Sequence, residues 1–108
     1  MKAYDEALFA QIVYNYTDAM AELLIRKQKN YGPKNISDAP GGPLNGLRVR
    51  MFDKLARINN LIETGVKPEN ESMRDSFIDL ANYAVISMMV LDNNWDTDEN
   101  NGRDNKGI

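Results

Sequence analysis

The chain has 108 residues, a formal charge of −3 and an apolar share of 43%, which leaves room for one domain with a single small core. It contains no cysteine and no histidine, so disulfides, thiolate zinc sites and imidazole acid–base chemistry are excluded. Any catalysis falls to carboxylates, Lys, Arg, Tyr or the backbone, and any metal is expected to be hard and oxygen-ligated, such as Mg²⁺.

The acidity gathers near the C-terminal end and no basic face stands out, which argues against a nucleic-acid partner. No apolar run follows the basic start, so no secretory signal is expected. The longest apolar-rich run, Leu80 to Leu91, is too short and too interrupted for a bilayer. The expected location is cytoplasmic, with no membrane partner.

In chain order, the first expected helix runs from Tyr4 to Lys29. Leu8, Ile12, Tyr16, Met20 and Leu23 recur at helical spacing and form its core stripe. Arg26, Lys27 and Lys29 suit the negative end of its dipole. Residues 30–46 read as a loop, because Pro33, Pro40, Gly41, Gly42, Pro43 and Gly46 interrupt any regular element. A loop of this length in a compact domain is commonly functional. Within it, Tyr31 is a candidate for stacking on a base, and Gly41-Gly42 for bringing backbone N–H groups to a phosphate.

The second helix is expected from Leu47 to Glu63, stopped by Gly65 and Pro68, with Leu47, Met51, Leu55, Ile58 and Ile62 as its core stripe. The third begins near Asn70 or Ser72 and runs to Asp92, with Met73, Phe77, Leu80, Ala84, Met88 and Leu91 along one face. Its second half, residues 80–91, is apolar nearly all round and needs cover on every side. A second copy of the chain is the simplest cover, so homo-oligomerisation through this helix is expected. The reading is thus an all-α domain over residues 1–92, three long helices in a bundle completed by self-association. Residues 93–108 are expected to form a flexible acidic tail, with Trp95 docking back.

Two polar rows carry the candidate chemistry. Arg50, Asp53, Arg57 and Asn60 stand in one row on the second helix. Such a row is either a solvated face, where Asp53 pairs with both arginines, or an anion site, since guanidinium forks match phosphate oxygens. Glu71, Asp75, Asp79 and Asn82 form a row on the third helix. Its carboxylates repel one another unless neutralised, and Asp79 lies too far from the helix start for the dipole to serve. Asp79 therefore requires a cation: an arginine of the second helix, or Mg²⁺.

These residues resemble a known family. Lys27-Gln28-Lys29-Asn30-Tyr31-Gly32, Asn35-Ile36, Gly46-Leu47 with Arg50, Asp53-Lys54 with Arg57, Asn60-Leu61, Glu71-Ser72 with Asp75, Asp79-Leu80 and Asn82-Tyr83 look like the nucleotide-modification-associated domain family (first type). That family is a relative of the all-α NTP pyrophosphohydrolases, the MazG-like superfamily, and the likeness covers about residues 20–90. The resemblance implies helix packing between subunits, a phage or prokaryotic setting (host cytoplasm if phage-encoded), and a nucleotide ligand whose α–β phosphate link is cut with Mg²⁺ held by Glu and Asp on two helices.

Carried onto this chain, Asp53 and Asp79 would be catalytic and would hold Mg²⁺, with Asp75 and Glu71 as further ligands. Arg50, Lys54, Arg57 and Asn60 would face phosphates, and Tyr31, Asn82 and Tyr83 sugar or base. The chain departs from the superfamily's pattern at the metal residues. Where Glu-Glu-x-x-Glu is expected it has Asp53-Lys54-Leu55-Ala56-Arg57, and where Glu-x-x-Asp is expected it has Ser76-Phe77-Ile78-Asp79. Exchanging carboxylates for cations shifts such a site from metal-assisted hydrolysis toward anion binding. Three functions stay open: a nucleotide pyrophosphohydrolase, a non-catalytic protein that sequesters a host nucleotide immune signal, and a helical adaptor.

Overall fold

The computed structural model describes residues 4–96. Its elements are α1 (Glu6–Tyr31), α2 (Lys34–Ser37), α3 (Pro43–Thr64) and α4 (Met73–Leu91), and no strand occurs among the described residues. None of these helices is long and apolar enough to cross a membrane. The chain divides after Asn30 into two units.

The first unit is α1 up to Asn30. Asp5 Oδ1 accepts from the Leu8 backbone N–H at 3.1 Å and satisfies one of the orphan donors of the first turn. The apolar stripe expected here is present in register but contains no buried residue. A stripe of this kind gains stability only when something covers it.

The second unit holds α2, α3 and α4, and its core lies where α3 packs on α4 and α2 on α3. Two expectations for residues 30–46 are corrected here. Residues Lys34–Ser37 make one helical turn after Pro33, and α3 starts at Pro43 rather than Leu47. Both follow from proline chemistry, because a proline at the start of a helix gives up an N–H that has no intrahelical acceptor anyway. Gly46 lies inside α3, where a Cβ would stand 2.5 Å from Ala39 Cβ. The missing side chain lets the preceding loop close onto the helix. At the other end Gly65 takes φ +70° and its N–H bonds Leu61 O at 3.0 Å, stopping α3 where the sequence places the stop.

The stripes of α3 and α4 are turned relative to expectation. On α3 the buried residues are Leu47, Ile58 and Leu61, while Leu55 and Ile62 are exposed. On α4 the buried residues are Ser76, Asn82 and Ile86, while Phe77, Met88 and Leu91 are exposed. Of the polar row, Asn82 is buried and Glu71 and Asp79 are half-buried toward α3, while Asp75 stays exposed at the helix start. The reason lies in α3, which presents Lys54 and Arg57 to that seam, so that inward polar groups find partners.

α4 starts with a capping box. Ser72 Oγ accepts from Asp75 N at 3.0 Å and Asp75 Oδ2 accepts from Ser72 N at 3.1 Å. Beyond α4 the chain returns to α2: Trp95 Nε1 donates to Pro33 O at 3.3 Å and Lys34 Nζ pairs with Asp96 Oδ2 at 3.2 Å. Trp95 docks back as expected, and with it residues 93–96 depart from the free tail read there. The rest of the expected tail, 97–108, lies outside the described residues.

Candidate functional site

The two polar rows meet across the α3–α4 seam. Lys54 Nζ lies 2.9 Å from Asp79 Oδ2 and 3.0 Å from both Glu71 Oε1 and Oε2. One turn on, the Arg57 guanidinium donates through Nη2 to the Glu71 carbonyl, and its Nε stands 3.8 Å from Glu71 Oε2. Ser76, fully buried, donates its hydroxyl to Glu71 Oε2 at 2.7 Å. The Glu71 carboxylate is thus bonded from two helices although it precedes the α4 cap.

The electrostatics follow from these bonds. Glu71 is held below the ordinary carboxylate range, first by the Ser76 hydroxyl and then by Lys54, both of which stabilise its charged form. Burial works against the charge of Lys54, but the hydrogen bonds to Asp79 and Glu71 outweigh it and hold the ammonium above its ordinary value. Both groups are therefore ionised across the neutral range.

Beside this cluster opens a crevice of about 310 Å³ lined by Arg50, Asp53, Lys54, Arg57 and Tyr83. That is at the lower end of the roughly 300–1,000 Å³ of small-molecule sites. The Arg50 guanidinium carbon stands 5.9 Å from the centroid of the Tyr83 ring, and Nη2 reaches Asn35 O at 3.4 Å. The ring and the carbonyl fix the fork while leaving other N–H donors for a ligand. Asp53 is exposed on the same wall and, among the described residues, makes no side-chain hydrogen bond or ion pair, so the pairing of Asp53 with both arginines does not form.

The candidate residues thus sort by place. Arg50, Asp53, Lys54, Arg57 and Tyr83 share the crevice, and Glu71 and Asp79 join it through Lys54. Asn82 is buried in the helix interface, and Asn60 is exposed away from the crevice lining. Tyr31 is exposed at the end of α1, neither a core residue nor a wall of the crevice. Gly42 N already bonds Ala39 O at 2.9 Å, so that N–H is not free to meet a phosphate. Ser76, absent from the expected site, proves to be its buried donor. The signal for it was its place in the Glu-x-x-Asp register, where a hydroxyl replaces the acid.

Magnesium, the ion that the resemblance implies, can be tested against this donor set. Asp75 is committed to the helix cap, while Glu71 and Asp79 both point their oxygens at the Lys54 ammonium. Among the described residues no group of three or more acidic side chains is gathered as a metal site. So arranged, the residues do not fit a divalent ion, which needs several oxygens converging on one empty point.

No match is found among curated proteins or solved structures. Residues 45–91 match the family model of nucleotide modification associated domain 1, a stretch holding nearly all of α3 and the whole of α4 and hence every residue that lines the crevice.

Proposed function

We propose that the protein binds a phosphorylated nucleotide in the crevice between α3 and α4. Arg50 takes phosphate oxygens with its planar fork and Arg57, partly bonded to Glu71, adds its positive charge beside it, while the Tyr83 ring 5.9 Å from the Arg50 guanidinium carbon limits the side-chain freedom lost on binding. The observation that carries this reading is the pair of guanidiniums on one wall of the crevice, with Arg50 seated on the Tyr83 ring. The match to a family described by nucleotide modification supports it.

A second reading, hydrolysis of the bound nucleotide, is favoured by one feature. Asp53 stands on the crevice wall with its carboxylate outside every ion pair of the described residues, where it could accept a proton from an attacking water. One experiment separates the two. The chain is titrated by calorimetry with ribo- and deoxyribonucleotides bearing one, two or three phosphates, and the recovered ligand is analysed. Binding that Arg50→Ala weakens at least tenfold, with the ligand intact, supports a binding or sequestering protein. Turnover lost in Asp53→Asn supports the enzyme. No binding across the panel overturns both and leaves an adaptor.

The outer face of α4 supports self-association, because Val85, Met88 and Leu91 are exposed on the helix expected to pair. A monomeric mass by light scattering at tens of micromolar overturns it.

A further inference from the structure

The cation between Glu71 and Asp79 belongs to the chain itself. We propose that Lys54 is the resident cation of the crevice: its ammonium occupies the place between the two carboxylates that a divalent ion would otherwise take, so that phosphate is recognised there without Mg²⁺. The inference rests on the reading of the crevice as a phosphate site, but its geometry stands separately.

Three carboxylate oxygens lie 2.9–3.0 Å from Nζ, and an ammonium has three N–H donors. Its hydrogen-bonding capacity is therefore filled by protein. Lys54 cannot donate to a ligand without releasing Glu71 or Asp79, so its part is to neutralise and position those two carboxylates. The phosphate-facing donors are left to Arg50 and Arg57. Charge agrees with this division. The cations Arg50, Lys54 and Arg57 balance the anions Asp53, Glu71 and Asp79 around the crevice. Without Lys54 the carboxylates would repel an incoming phosphate, and a metal would have to offset them. With it, the site accepts the anion as it stands. The position is also fixed by the fold, because Lys54 projects from the middle of α3 into the seam with its side chain only 20% exposed.

The test uses Mn²⁺ alone as probe, with no nucleotide present, and reads free Mn²⁺ by electron paramagnetic resonance. Lys54→Met keeps the apolar stem and removes the charge, and circular dichroism verifies its helices. The variant is expected to bind one Mn²⁺ at least tenfold more tightly than the native protein, and Asp79→Asn added to it is expected to abolish that gain. A folded Lys54→Met that binds Mn²⁺ no better than the native protein overturns the inference. So does a native Mn²⁺ site that Asp79→Asn removes, a result that does not depend on the Lys54 variant folding. The nucleotide reading stands or falls on the calorimetric panel, so failure of one is distinguishable from failure of the other.

Discussion

The two sides of α4 are built against the usual order. Its inner side carries two polar residues, Ser76 and Asn82, beside Ile86, at 0%, 7% and 5% exposure, whereas its outer side carries Phe77, Met88 and Leu91 at 52%, 57% and 65%. Polar groups leave water only where partners repay the lost hydration, and on the inner side Lys54 and Arg57 of α3 supply them through Glu71 and Asp79. No corresponding reason exists for leaving an apolar row outside. The seam thus buries polar groups that have partners at some cost to the core, and the outer face leaves apolar surface exposed.

The sharpest way to break this comparison is to truncate one apolar residue on each side. Leu47 of α3, at 1% exposure, is the largest fully buried apolar side chain among the described residues, and Leu47→Ala is expected to cost about 2–5 kcal/mol in chemical denaturation. Phe77→Ala, measured at a concentration where the chain is monomeric, is expected to cost within about 0.5 kcal/mol, as for an ordinary surface change. At higher concentration it should lower the native mass. Equal costs for the two substitutions in the monomer would mean that the outer face is already covered within the chain. A smaller effect probes the seam itself. Asp79→Asn removes one carboxylate from a partly buried pair, and the loss is expected to be about 1–3 kcal/mol, between exposed and buried ion pairs. A loss below about 0.5 kcal/mol in denaturation would show that the pair does no more than a surface bridge.

Much of this was legible in the sequence, and what was not has a physical reason. The Gly65 stop is a local signal and appears where expected, and of the two starts read for α4, near Asn70 or Ser72, the chain uses Ser72 as the cap. The requirement that Asp79 find a cation was also legible, since a carboxylate in mid-helix has no dipole to stabilise it. Its partner was harder to see. Arginine or Mg²⁺ was the expectation, and Lys54 takes the place, because the rotation of α3 about its own axis depends on tertiary packing. The same rotation explains why Leu55 and Ile62 were read as core and stand exposed. Periodicity finds a stripe, but it does not say which stripe faces the neighbour when a helix carries two. Proline misled for another reason. Pro33 and Pro43 were read as breakers, although at a helix start each is a starter.

The finest effect expected in the seam comes from Ser76. Its hydroxyl is the largest cause holding Glu71 below the ordinary carboxylate range, so Ser76→Ala removes a donor from a charged acceptor and should cost about 1 kcal/mol near pH 7. The sign of the pH dependence follows from linkage. A carboxylate whose folded-state value is depressed adds stability above its unfolded value, here near 4.5, and loses it as pH falls through the lower folded value. The Lys54 contribution runs oppositely, being complete below 10.5 and lost only as pH rises through its elevated folded value, so it does not change on the acid side. Between neutral pH and strong acid the two proteins should therefore converge, because protonating Glu71 takes from the native chain the advantage that the variant already lacks. Urea denaturation at pH 7 and at steps below pH 4.5 measures the gap at each point. A gap that stays constant through the acid limb would mean that Ser76 acts by packing alone, and the buried hydroxyl of α4 would then need a reason other than the charge it holds.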